Sequence, residues 1–245
     1  MTPPAGSSMI GPGTPLFPDA PEPVPPVQVT ASEESVFERA RDAMVASQIV
    51  VRGVRDAKTL AAMRSVPRHL FVPPELTRSA YDDRPLPIGH GQTISQPYIV
   101  AFMTEALGLK GGETILEVGA GSGYQSAVLS RIAAKVFGIE IVEPLATEAK
   151  QRMARLGYKN VEIRAGDGYA GWPEQAPFDA ILVAAAAPRV PEPLKRQLKD
   201  GGRLILPVGD HVQELKIVTR RGATFEERNV LAVRFVPMTG EIRKD

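Results

Sequence analysis

The stretch Ile115-Leu116-Glu117-Val118-Gly119-Ala120-Gly121-Ser122-Gly123-Tyr124-Gln125 limits what this chain can fold into more than any other. An apolar run leads through Glu117 into three glycines at alternate positions, Gly119, Gly121 and Gly123. A helical pattern follows, with Ala127, Val128 and Ile132 on one side. A strand, a tight glycine turn and a helix in that order build a site for a nucleotide-type cofactor. Glycine is needed because the turn takes unusual φ/ψ values and because the ligand must approach bare backbone. The helix start is expected to offer free N–H groups to a polar ligand.

The spacing narrows the cofactor. A dinucleotide fingerprint, Gly-x-Gly-x-x-Gly, would place its last glycine at position 124, which is Tyr124. Glu117, two residues before the first glycine, opposes a pyrophosphate, because like charges would meet in a tight turn. A ligand with an ammonium group suits Glu117 better, and S-adenosylmethionine carries an ammonium, a sulfonium and an adenosine. Glu140 lies 21 residues past Gly119, at the end of a second apolar run, Val136-Phe137-Gly138-Ile139. An acid there can accept both ribose hydroxyl protons. The expected cofactor set is therefore Glu117, Gly119, Gly121, Ser122 and Gly123 around the bend, with Glu140 and Ile141 after the second run. Glycines that merely made a loop would need neither acid.

Bulk properties exclude other classes. A chain of 245 residues with 43% hydrophobic and 23% charged residues fits one globular α/β domain with additions. The formal net charge of +1 gives no strong field toward nucleic acid or membrane, and neither is expected as a partner. With no cysteine there is no disulfide, thiolate metal site or cysteine nucleophile. His69, His90 and His211 lack metal-ligand spacing, so no metal is expected. No apolar stretch approaches the ~20 residues of a membrane span. The first basic residue is Arg39, and no continuous apolar core precedes it. A signal peptide is therefore not expected, and the location is read as cytoplasmic.

Taken in order, residues 1–29 are rich in proline and glycine and read as a disordered tail. Residues 30–245 read as a single domain: N-terminal helices and a substrate loop to residue 110, then the cofactor core. Thr30-x-x-Glu33 is a capping box for a helix carrying Val36, Phe37, Ala40, Met44 and Val45. Asp56 caps a second helix with Leu60 and Met63. The stretch Pro87-Ile88-Gly89-His90-Gly91-Gln92-Thr93-Ile94-Ser95-Gln96-Pro97-Tyr98 is polar and without period. It reads as a loop, a candidate substrate wall containing His90 and Gln92, before a helix over 98–107 opened by Pro97. Ser95 and Gln96 also suit helix capping, and a backbone-bonded loop histidine is an alternative for His90. Beyond the bend a helix is expected over 143–156, a strand at 161–163, a strand and its loop over 178–187, and a helix over 191–198 ended by Asp200-Gly201-Gly202. A strand over 203–208 follows, with an antiparallel pair, 213–219 and 230–236, around Gly222. Residues 204–208 read as a core strand or as an edge able to hold an extended peptide.

Four blocks together resemble the protein-L-isoaspartate O-methyltransferase family: Val66-Pro67-Arg68-His69-x-Phe71-Val72-Pro73, residues 89–98, residues 116–124 and residues 201–209. Their order matches from about Phe37 to Thr239, and Gly-Gln-Thr-Ile-Ser-Gln-Pro is the specific block. The resemblance implies a Rossmann-like doubly wound methyltransferase sheet, α/β and mostly parallel, with an antiparallel C-terminal strand pair and N-terminal helices. It implies methyl transfer from S-adenosylmethionine to the free carboxylate of L-isoaspartyl residues in damaged proteins, acting as a monomer. The ester then re-cyclises to a succinimide that opens partly to aspartate. It further implies that Ser95 is the active-site hydroxyl, with Thr93 in the same motif. Asp167, next to Gly168, lies near the adenine amino group, Glu140 is the ribose acid, and Thr239 reaches the site.

The chemistry suits these residues. A carboxylate with an ordinary pKa of about 4 is already ionised at pH 7, so no general base is required. Catalysis then rests on in-line positioning in a dry pocket. Three other readings stay open on the residues alone. A methyltransferase for small molecules or RNA is one, although RNA calls for a basic, aromatic face. A nicotinamide oxidoreductase is disfavoured by Tyr124. A scaffold that keeps the fold without catalysis would have no need of Thr93, Ser95 and Glu140.

Overall fold

The computed structural model describes residues 31–244. The expectations for the proline-rich tail and the Thr30 cap lie outside those residues.

Helix α1 (Ala31–Met44) runs on through a π turn and a 3-10 turn to Gly53, whose φ of 94° ends it. Helix α2 (Ala57–Ser65) starts at Asp56, whose carboxylate accepts from the Thr59 N–H at 2.8 Å, as the sequence predicts. Strands β1 (Leu86–Gly89) and β2 (Gln92–Ile94) form an antiparallel hairpin, and α3 (Pro97–Leu107) follows with proline in its first turn. The aperiodic stretch is thus a hairpin rather than a loop. Three consecutive left-handed residues, Gly89, His90 and Gly91, with φ of 89°, 52° and 70°, reverse it. With a strand of three residues and a register shift at the turn, no alternation survives to be read.

The large sheet comes next in the chain. Its first strands are β3 (Thr114–Val118), β4 (Lys135–Glu140) and β5 (Val161–Ala165), joined by α4 (Tyr124–Ser130) and α5 (Glu143–Arg155). Then come β6 (Phe178–Val183), α6 (Glu192–Arg196), β7 (Leu198–Val208), β8 (Gln213–Arg221) and β9 (Thr224–Val233). The strand order is β5-β4-β3-β6-β7-β8-β9. The first five strands are parallel neighbours and the last two antiparallel. The chain lays β4 and β5 on one side of β3, then crosses to place β6 on the other. Ligands bind at the carboxyl ends of strands where the winding reverses in this way. Strands β3, β4 and β6 are apolar nearly throughout because helices cover both faces.

Two boundaries differ from the sequence expectation. The helix over 191–198 stops at Arg196, and Asp200-Gly201-Gly202 lies inside β7. A Cβ on Gly202 would sit 2.9 Å from the Lys199 carbonyl and 3.0 Å from that of Asp179, so this glycine permits a close backbone approach beside the shifted β6–β7 register. Strand β9 begins at Thr224 rather than 230, because its first half carries exposed Glu226, Glu227, Arg228 and Asn229 on a sheet edge. Residues 204–208 are core strand: β8 pairs along all of them, while β6 covers 204 and 205 on the other side and Ala187 bridges to Val208, which leaves no free edge for a peptide.

Candidate active site

A cleft of about 900 Å3, counting its open mouth, lies at the carboxyl ends of β3, β4 and β6. The glycine bend forms its floor. Gly119 and Gly121 hold φ of 86° and 53°, which a side chain adopts only with strain. The N–H groups of the bend itself are engaged, whereas the start of α4 has no side-chain cap. Gly119 and Ala120 donate to the Ile139 carbonyl, Gly123 donates to Ala120, and Gly121 donates to Glu140 Oε2 at 2.8 Å. The bend is stitched to β4, and the polar groups facing the cleft are side-chain acids.

Those acids set its electrostatics. Among the described residues, Glu117 and Glu140 are the only ionisable side chains on the cleft wall. Glu117 is fully buried on β3. Its Oε2 accepts from the Ser126 hydroxyl, and its Oε1 has no hydrogen-bond partner. Burial pushes its carboxyl up to about 8; the Ser126 hydrogen bond opposes this and the nearby Glu140 carboxylate adds to it. An orphaned carboxylate oxygen in an anionic cleft fits a cationic group and repels a phosphate. Glu140 accepts from Gly121 and Val142, the latter at 2.9 Å, and each of its oxygens keeps a second lone pair.

The opposite wall comes from the hairpin and from the segment after β9. Gln92, Thr93, Ile94 and Ser95 line it, with Thr239 across from them at the end of a run that begins at Val236. The hydroxyls of Thr93, Ser95 and Thr239 take no hydrogen bond among the described residues. Ser95 does not cap α3: the N-cap position is Gln96, whose amide instead donates to Asp83 Oδ1 at 2.8 Å. Pro237 reaches the wall through a bridge to Ala186, with the Met238 N–H donating to the Ala186 carbonyl at 2.7 Å.

Of the remaining residues expected from the sequence, Ser122, Ile141 and Gly168 line the cleft, while Gly123, His90 and Asp167 do not. Gly123 is the N-cap of α4 and packs toward Met153. His90 is exposed at the hairpin tip. Asp167 caps the turn at Tyr169, and its other oxygen accepts from the Glu241 N–H at 2.7 Å. It is Gly168 that reaches the wall, so close to β3 that a Cβ there would stand 2.2 Å from Val118 Cγ1.

Arg68 was not singled out from the sequence beyond its place in a block. It is fully buried, with its guanidinium 4.8 Å from the Tyr124 ring centre. Nε donates to the Ala80 carbonyl at 2.7 Å and Nη2 to the Ser95 carbonyl at 2.8 Å. Burial lowers its pKa to about 10, so it stays charged at neutral pH. A buried cation thus pins the backbone of Ser95. The sequence signal is an arginine between Pro67 and His69 in an otherwise apolar stretch, and that alone does not reveal its target.

Among the described residues no cluster of three or more histidine or acidic side chains could hold a metal ion. None of their helices is long and apolar enough to cross a membrane.

A family model described as protein-L-isoaspartate(D-aspartate) O-methyltransferase matches residues 39–243. The chain belongs to this family. Protein-L-isoaspartate O-methyltransferase 2 of Shewanella sediminis is 56% identical over 209 residues, covering 84% of this chain and 86% of that protein. The Opitutus terrae protein-L-isoaspartate O-methyltransferase is 54% identical over 219 residues, covering 87% and 94%. A solved protein-L-isoaspartate O-methyltransferase superposes with a TM-score of 0.75 at 31% identity, over 84% of this chain and 67% of that one. A structure from Plasmodium falciparum assigned to the same enzyme, in complex with S-adenosyl-L-homocysteine, gives 0.71 at 27% identity, over 83% and 98%. The seven-stranded α/β fold is thus that of the family.

Proposed function

We propose that the acidic floor of this cleft holds the cofactor while the hairpin wall aims the substrate at it. The chain is an S-adenosylmethionine-dependent methyltransferase that esterifies the free carboxylate of L-isoaspartyl residues in damaged proteins and peptides, the repair methylation of its family. One observation carries the residue assignment: the orphaned Glu117 Oε1 and the free hydroxyl of Ser95 belong to the same cleft.

S-adenosylmethionine, when bound, supplies a methyl group on a cationic sulfonium. Glu117 is suited to the ammonium group, because an ammonium donates to the unpartnered oxygen and favours the ionised carboxylate. Glu140 is suited to the ribose hydroxyls, and Ile141, Ser122 and Gly168 flank the same end. Asp167, one residue outside the wall, accepts one backbone N–H on each oxygen and keeps a lone pair on each, which suits it to the adenine amino group. Ser95 donates to one oxygen of the accepting carboxylate, with Thr93, Gln92 and Thr239 beside it. Arg68 holds the Ser95 backbone still, which is the positioning on which such a reaction depends. The acceptor is ionised at neutral pH, so no proton has to be removed, and the wall offers no base to remove one. His90 at the hairpin tip reaches the flanking peptide rather than the reacting atoms.

The test is transfer of labelled methyl groups to an isoaspartyl peptide beside the matched aspartyl peptide. Base-labile label in the isoaspartyl peptide alone is the expected result. Equal label in both, or label in neither, overturns the reading.

A further inference from the structure

The cleft continues past Ser95 into a second one of about 810 Å3, again counting its open mouth. The two share Thr93, Ser95, Ala184 and Val236, so whatever occupies the second lies against the reacting wall of the first. Among the described residues, Arg234 is the one charged side chain lining it. Strand β9 ends at Val233, and the next residues are held rather than loose. The Phe235 N–H donates to Gln213 Oε1 at 2.6 Å, Gln213 Nε2 donates to the Phe235 carbonyl at 3.2 Å, and the Ala186 N–H donates to the Val236 carbonyl at 2.8 Å. Arg234 therefore stands on a fixed backbone. It is exposed, and its guanidinium has no hydrogen-bond or ion-pair partner among the described residues. The acids of the segment before β1 are already engaged: Asp83 by Arg52 and Gln96, and Asp82 by Arg84.

We propose that the second cleft seats the peptide flanking the isoaspartyl residue and that Arg234 makes the enzyme prefer substrates with an acidic side chain at a flanking position. This rests on the methyl-transfer reading above. The guanidinium is not suited to the accepting carboxylate itself, because a bidentate arginine would tie up the lone pairs that must attack. It matches instead a neighbouring carboxylate that does not react, and it repels a neighbouring lysine.

The experiment measures KM and kcat for isoaspartyl peptides carrying Glu, Ala or Lys on either side of the damaged residue. An exposed charge pair gives a factor of roughly 1.4 to 5, and exchanging attraction for repulsion widens the gap. On at least one side the Glu peptide should show a KM about 3- to 10-fold below the Lys peptide. The gap should narrow as salt is raised. Arg234→Gln should erase it, Arg234→Glu should invert it, and Arg234→Lys should retain it. Because each variant is scored by its own Glu-to-Lys ratio, a general loss of folding does not imitate the result. A ratio near one in the unaltered enzyme, or the same ratio in Arg234→Gln, overturns the proposal. So does a uniform fall in kcat across all peptides with the ranking kept, since that would put Arg234 on the acceptor. Failure to methylate any isoaspartyl peptide would instead overturn the underlying reading.

Discussion

Glu117 makes cofactor binding a proton-linked event, and its size follows from the structure. The carboxyl sits at about 8, so at pH 7 about nine-tenths of it carries a proton before binding. The cofactor's ammonium favours the ionised form, and an α-amino group itself titrates near 8. Binding therefore pairs a deprotonated Glu117 with a protonated amine. At pH 6 about one proton should be released per ligand bound, and at pH 8 the release should fall to about zero. The binding-competent fraction is roughly 0.01 × 1 at pH 6 and 0.5 × 0.5 at pH 8, so affinity should rise about 25-fold across that interval. Calorimetry with S-adenosylhomocysteine in buffers of different ionisation enthalpy reads both quantities. Glu117→Gln should bind more weakly at pH 8 and release no proton at pH 6. A wild-type affinity flat between pH 6 and 8 with no proton released would refute the assignment of the ammonium to Glu117.

Three other outcomes test the neighbouring parts. The same titration acts on stability in the opposite sense: with its folded pKa raised, Glu117 costs the free protein stability progressively from about pH 4.5 to about pH 8. Wild type should thus lose on the order of 3 kcal/mol relative to Glu117→Gln between pH 6 and 9, read by urea unfolding. Ser95→Ala should lower kcat about 10- to 100-fold, the worth of one hydrogen bond to a charged group, with S-adenosylhomocysteine affinity unchanged by calorimetry. Arg68→Met removes two hydrogen bonds to buried carbonyls, which should cost about 2–4 kcal/mol in urea unfolding and also lower kcat through the freed Ser95 backbone.

The core of the fold was legible because it is written locally. Strands β3 and β4 are largely apolar runs ending at a glycine or an acid, and Asp56 and Pro97 announce their helices one residue at a time. Glu117 could be read as a cation's partner because a charge in an apolar strand needs a reason. The hairpin was not legible, since three left-handed residues and a three-residue strand leave no period. Nor was the role of Arg68, whose partners at Ala80 and Ser95 lie 12 and 27 residues away. The occupied N–H groups of the bend depend on pairing with β4, which no short window reveals. Asp167 illustrates the converse: resemblance placed it by motif, while its bond to Glu241 depends on a segment 74 residues on.

The bridge between Ala186 and Pro237 has a consequence for synthesis. The hairpin wall and the bend with its acids emerge from the ribosome before β6, but Val236 to Thr239 follow only after β9. A nascent chain that has reached β9 can hold a sheet and not yet a catalyst. Proteolytic trimming just past Val233 would remove Arg234, Val236 and Thr239 together, and with them the core residues Met238 and Ile242. Turnover in this protein is thus withheld until the segment after β9 has docked on Ala186.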